Sequence, residues 1–218
     1  MIVHVTNGAY FNSWLIKKTG MQSVPFNEAM MNGSATECPF DEEFICHRAL
    51  VHHVSKEDYM RNMKPFLDVI KQLNQVNELI LWFGVDAFCQ MNLLTIYHVL
   101  KRYNYQGVVK TVLFDENEPW DKILHQKPLE TKWETMYDLY QKVLVERKSV
   151  ECDDEIMNRA IQLYLDLHDS NGRLNQLIRQ YPSMNENELV EILMEHSKKE
   201  GLSDVQALEM IRKVREVK

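Results

Sequence analysis

The chain has 218 residues, 45% hydrophobic and 26% charged, with a formal net charge of −7. That is enough for one large domain, or for a medium domain with a small appendage. No apolar run approaches the roughly 18 residues of a membrane helix, and an acidic surface repels a phosphate backbone, so neither a membrane nor a nucleic-acid partner is expected.

The charge is uneven. From residue 151 onward there are nine basic and fourteen acidic side chains, a balance of −5; the first 150 residues hold sixteen and eighteen, a balance of −2. Basic clusters are short (Lys17-Lys18, Lys198-Lys199, Arg212-Lys213 with Arg215) and read as solvated helix ends. The first residues carry no basic stretch and no small-residue cleavage site, and Ile2 is not a myristoylation signal. Cys38, Cys46, Cys89 and Cys152 are too few and too irregular for a disulfide scaffold. A cytoplasmic location is the expectation.

Ile2 to Thr6 reads as a short strand, punctuated by Asn7-Gly8, a pair suited to a sharp strand-to-helix turn. A helix through Tyr10, Trp14 and Leu15 follows and stops at Gly20. Ser23 to Phe26 is a weaker strand containing Pro25, and Asn27 to Phe40 is a long irregular region of the kind that often carries function. Phe44 to Val54 suggests a short helix. Ser55, with Asp58 three residues on, caps a longer one whose Tyr59, Met63, Phe66, Leu67 and Ile70 recur at helical spacing.

Glu78 to Phe83 is a near-continuous apolar run, as in a strand covered on both faces. Gly84 breaks it, Asp86 opens a helix to about Tyr103, and Val108 to Phe114 forms another strand. This alternation predicts an α/β fold: a parallel-sheet, Rossmann-like, three-layer domain over residues 1–118. From Pro119 the pattern turns helical, which predicts an α-helical C-terminal region over 119–218. Thr131 to Arg147 reads as one long helix. Further helices are capped by Asp153 or Asp154, by Asn185, and by a Ser203–Gln206 capping box.

Parallel sheets bind ligands beyond the carboxyl ends of their strands. The polar residues there nominate Asn7, Glu28, Asp86 and Gln90 as ligand-binding candidates, with Glu28 or Asp86 as a conceivable acid or base. Asp86 and Gln90 share one helix face, whereas Asn92 lies about 200° around from Gln90. Asp86 also serves as a plain N-cap. With seven glycines and no phosphate-loop, dinucleotide or nucleophile-elbow motif, the chain is assigned no cofactor and no reaction. Cys38, Cys46, His47, His52 and His53 fall within sixteen residues, but their spacing is not that of a zinc site, so no metal is assigned.

The stretch Leu81-Trp82-Phe83-Gly84-Val85-Asp86-Ala87-Phe88-Cys89-Gln90-Met91-Asn92-Leu93-Leu94, together with His4-Val5-Thr6-Asn7-Gly8, resembles an uncharacterised bacterial family of α/β domains, the domain of unknown function numbered eighteen thirty-five. The resemblance spans residues 2–115 and implies the fold more than an activity. It departs from the family pattern at Ala9, where Asp usually follows Asn-Gly, and at Pro25-Phe26-Asn27, where a Trp-Arg-like stretch is usual. A carboxylate lost at position 9 implies a member that binds without turnover. Two functions follow as expectations: binding of a small polar ligand at the strand ends, or an interaction or regulatory module whose acidic helical tail engages a protein partner or a second copy. A DNA-binding tail is a third reading that the charge opposes.

Overall fold

A computed structural model describes residues 1–115, 118–198 and 201–216. Its centre is a five-stranded sheet in the order β2-β1-β3-β4-β5. Strand β1 is Ile2–Asn7, β2 Ser23–Phe26, β3 Glu78–Gly84 and β4 Val108–Phe114. These four run parallel, with Val5 opposite both Val24 and Leu81, and Leu81 opposite Thr111. From β1 the chain first builds outward to β2, then returns to place β3 on the other side. Strand order therefore reverses between β1 and β3.

Alternation along the strands sorts side chains onto two faces. Val3, Val5, Leu79, Leu81, Phe83 and Val109 enter the larger apolar cluster, whereas Ile80, Trp82, Val112 and Phe114 enter a smaller one on the opposite face. The smaller is covered by Phe11 and Leu15 of helix α1 (Ala9–Thr19). The larger is covered by α3 (Lys56–Ile70) and α4 (Ala87–Arg102), while α2 (Glu42–Val51) packs on α3. Ser55 caps α3 by accepting from Asp58 N, as the sequence suggests. Helix α4 buries twelve of its sixteen residues because a second layer lies outside it.

Beyond β4 the short helix α5 (Trp120–Ile123) adds Ile123 to the smaller cluster. Strand β5 (Leu129–Glu130) then pairs antiparallel with β4, Thr111 facing Leu129. The single helix expected over 131–147 is not formed. Thr131 is held at the sheet margin, its N–H donating to Val109 O and its hydroxyl 2.8 Å from that of Thr111. The chain then makes a 3₁₀ turn at Trp133–Thr135 and a π-helical stretch at Tyr140–Val145. Trp133, Leu139, Tyr140, Val143 and Leu144 are buried as their periodicity implies. The pattern reports which residues face the core, but the tether at the sheet margin sets the backbone path.

Helices α6 (Glu155–His168), α7 (Arg173–Gln180), α8 (Glu186–His196) and α9 (Asp204–Glu216) complete the fold. Asp154 accepts from Met157 N, Asn185 accepts from Asn187 N, and Ser203 and Gln206 close a reciprocal box. Met157, Ala160, Ile161 and Tyr164 of α6, with Leu189, Leu193, Ala207 and Ile211 of α8 and α9, belong to the same cluster as the sheet. A division at residue 118 would thus cut through both sheet and core. No helix among the described residues is long and apolar enough to cross a membrane.

Candidate functional site

Strand β1 ends at the reversal point in Asn7, and Gly8 turns the chain with φ 81° and ψ 164°, a conformation open to glycine alone at little cost. The Asn7 amide is committed on both sides. Its Nδ2 donates to Cys89 Sγ at 2.9 Å, and its Oδ1 accepts from Asn92 Nδ2 at 2.8 Å. Asn92, fully buried, also donates to Glu28 O at 2.6 Å and accepts from Met30 N at 3.0 Å. One amide thus pins the loop after β2 to both β1 and α4. Asn7 and Glu28 are brought together, but through Asn92, which points away from Gln90 as its helical angle requires.

The Glu28 carboxylate faces inward, against α2 and α3. Oε1 accepts from Arg48 Nη2 at 2.7 Å, Arg48 Nε at 3.0 Å and Ala29 N at 2.8 Å, and lies 2.6 Å from His52 Nε2; Oε2 accepts from the Tyr59 hydroxyl. Arg48 is wholly buried, and its remaining donors reach Asn32 O and Ala29 O at 2.6 and 2.9 Å. Burial pushes the Glu28 carboxyl up, but the His52 hydrogen bond and the Arg48 charge outweigh it and hold the group at about 2. Burial, with the nearby carboxylate, pushes the Tyr59 phenol well above its ordinary value. A carboxylate buried among these donors stays ionised at neutral pH, so this cluster locks structure rather than moving protons.

Asp86 stands at the other side of the reversal point. Its Oδ1 caps α4 by accepting from Cys89 N at 2.9 Å, and its Oδ2 is buried with no hydrogen-bond partner among the described residues. Gln90 does not join it. That side chain is buried and donates to Gly84 O at 2.7 Å, bracing the end of β3. Asp86 instead lines a cleft of about 760 Å³ at the ends of β3 and β4, shared with Asp115, Arg159, Lys198, Ser203 and Asp204. Of the four candidates, Asp86 is the one that faces this cleft.

Gly201 forms part of the cleft wall at φ +82°, where a Cβ would lie 2.9 Å from Asp86 Cβ. Gly201→Ala is expected to cost about 1–3 kcal/mol from the left-handed backbone alone, with further strain against Asp86. A urea midpoint unchanged from wild type would show that the segment does not dock on Asp86.

Sequence reasoning nominates neither Arg48 nor Tyr59 for this cluster, weighs His52 only as a metal ligand, and sets Asn92 apart from Gln90. Arg48 alone offers a signal, as a basic residue amid Phe44, Ile45 and Ala49. Cys38 and His47 share a separate hollow of about 400 Å³ with Asp41 and Glu43. Among the described residues, no three His, Cys, Asp or Glu side chains come close enough to share a metal ion. Another hollow, of about 640 Å³, lies near Arg147, His168 and Arg173, remote from the strand ends. There Asp166 already pairs with Arg173 at 3.3 Å and caps Leu174 N.

No family model and no curated protein matches the chain. A crystal structure of a DNA primase domain from Pseudomonas aeruginosa aligns with 97% of this chain at 13% identity and a TM-score of 0.33. The chain spans 55% of the length of that structure, and a similarity at that TM-score transfers neither fold nor activity.

Proposed function

We propose that this is a binding protein for a small polar molecule, seated at the carboxyl ends of β3 and β4 in a Rossmann-like sheet with an α-helical C-terminal region, and related to the domain of unknown function numbered eighteen thirty-five. The observation that carries the reading is the orphan Asp86 Oδ2 beside the strand-end cleft. A buried acceptor without a donor costs about 1–3 kcal/mol, more when charged, and a ligand donor relieves that cost. The cleft also lies where parallel sheets commonly bind. Binding without turnover fits better than catalysis, since Glu28 is locked in a structural cluster and Ala9 supplies no carboxylate at the first turn. This reading takes the protein as cytoplasmic, a setting that suits four irregularly spaced thiols.

The alternative, an interaction module working through the acidic tail, gains less support. It calls for an exposed apolar stripe on the tail helices, but Leu189, Leu193, Ala207, Met210 and Ile211 are turned inward. The deciding measurement is a thermal and urea unfolding screen of the whole chain against amino acids, nucleotides, sugar phosphates and divalent metals. A ligand at a hundred times its Kd is expected to stabilise by about 2.7 kcal/mol. A panel that moves nothing sinks the reading and leaves the tail as the place to seek a partner.

A further inference from the structure

The groups lining the strand-end cleft select among ligands. Two helix N-termini open onto it, those of α4 and α9, which is the usual arrangement for holding a phosphate. Each already carries a side-chain cap from within the chain. Asp86 Oδ1 takes Cys89 N, while Ser203 Oγ accepts from Gln206 N at 3.2 Å and Gln206 Oε1 accepts from Ser203 N at 3.1 Å. A phosphate entering at α4 would meet the Asp86 carboxylate in place of backbone amides.

The lining instead offers two chemistries from two sources. The strand ends bring the carboxylates of Asp86 and Asp115, and α9 adds Asp204 at its start. The C-terminal helices bring Arg159 and Lys198. Among the described residues, carboxylates and cations both line the cleft, so it suits a ligand that carries both charges better than one that is purely an anion. Asp86 Oδ2 calls for a donor, and an ammonium supplies one together with the compensating charge. Arg159 is held only loosely from its own helix, by Glu155 at 4.0 Å, so its planar fork is at hand for a carboxylate.

We propose that the cleft takes a zwitterionic amino-carboxylate of the free amino-acid class, its ammonium on Asp86 and its carboxylate on Arg159, with the remaining volume left for the side chain. This rests on the strand-end reading above. The pairing also explains why α4 is capped by an aspartate whose second oxygen has no partner among the described residues. Asparagine would cap the helix as well and would carry no buried charge.

The test is calorimetric titration of the full chain with each of the twenty L-amino acids. Every binder is then titrated again as its N-acetyl and its C-terminal amide form, alongside a nucleotide and sugar-phosphate panel. Asp86→Asn and Arg159→Gln are measured beside the wild type. The expected result is an amino acid whose affinity falls at least tenfold on N-acetylation and on amidation, and at least tenfold in each variant. Asp86→Asn without ligand should unfold at or above the wild-type midpoint, which separates lost recognition from lost folding. An amino acid that binds equally well when N-acetylated overturns the proposal. A nucleotide or sugar phosphate that binds through Asp86 while no amino acid does also overturns it, although the strand-end site survives. Silence from both panels removes the site and the proposal together.

Discussion

Replacing Arg48 with methionine is expected to lower the free energy of unfolding by about 3–5 kcal/mol, with the loss read as a fall in the urea midpoint at unchanged slope. Methionine keeps most of the apolar stem, so little of the loss comes from a cavity. What is removed is the cation that faces Glu28 and the donors to Asn32 O and Ala29 O, all in a site with no access to water. Arg48→Lys should recover little, since a point-like ammonium cannot span the carboxylate and two carbonyls together. The double variant Arg48→Met with Glu28→Gln is expected to be more stable than Arg48→Met alone, because it no longer buries an unpaired charge. A loss below about 1 kcal/mol for Arg48→Met, the range of exposed pairs, would mean that water reaches the pair and the cluster is not the lock described.

Acid should unfold the protein in two separable stages. Glu28 is held at about 2 in the folded chain against an ordinary 4.5. Because the folded value is the lower one, its contribution is fully present above pH 4.5 and is lost as pH falls from there toward about 2. At about 1.4 kcal/mol per unit this comes to about 3 kcal/mol. His168 acts earlier. Burial, then the nearby Arg147 charge, holds its imidazole at about 4 against an ordinary 6.5, and its Nε2 lies 3.0 Å from Met31 O. Protons therefore favour the unfolded chain between pH 6.5 and 4, and stability falls through that range first. Urea midpoints measured from pH 7 down to 3 should show both slopes. Glu28→Gln should make the lower slope shallower and leave the upper one, and a variant whose lower slope matched the wild type would detach Glu28 from the acid transition.

The sequence was most legible where local chemistry dictates structure. Glu78 to Phe83 reads as a covered strand and forms one, and Ser55, Asp86 and Ser203 cap helices in the folded chain because a side-chain oxygen placed just ahead of a helix has one obvious use. The expected helix over 131–147 failed because hydrophobic spacing marks a buried side without stating which carbonyl each N–H will find. The same limit applied to the site. Asn7, Glu28 and Asp86 stood out as polar residues at strand ends, and their positions near the reversal of strand order follow from the sheet. Arg48 on α2, His52 at its C-terminal cap and Tyr59 on α3 lie some twenty to thirty residues from Glu28, and sequence spacing does not say which of them a loop carboxylate will meet. Helical spacing turns Asn92 away from Gln90. It points toward Asn7 and the loop that carries Glu28.

The nearly all-round burial of α4 has a consequence for the order in which the molecule can be made. Its inner side has somewhere to go once β1 and β3 have paired, but its outer side waits for α6, whose Met157 and Tyr164 lie more than fifty residues farther along the chain. During synthesis there is accordingly an interval in which Met91, Leu94, Ile96 and their neighbours have been translated and only part of their cover exists. A nascent chain in that interval presents an oily helix to its surroundings, the state from which aggregation and chaperone capture both begin. A translation pause before α6 has emerged would prolong this exposure, whereas a later one would find the cover already in place.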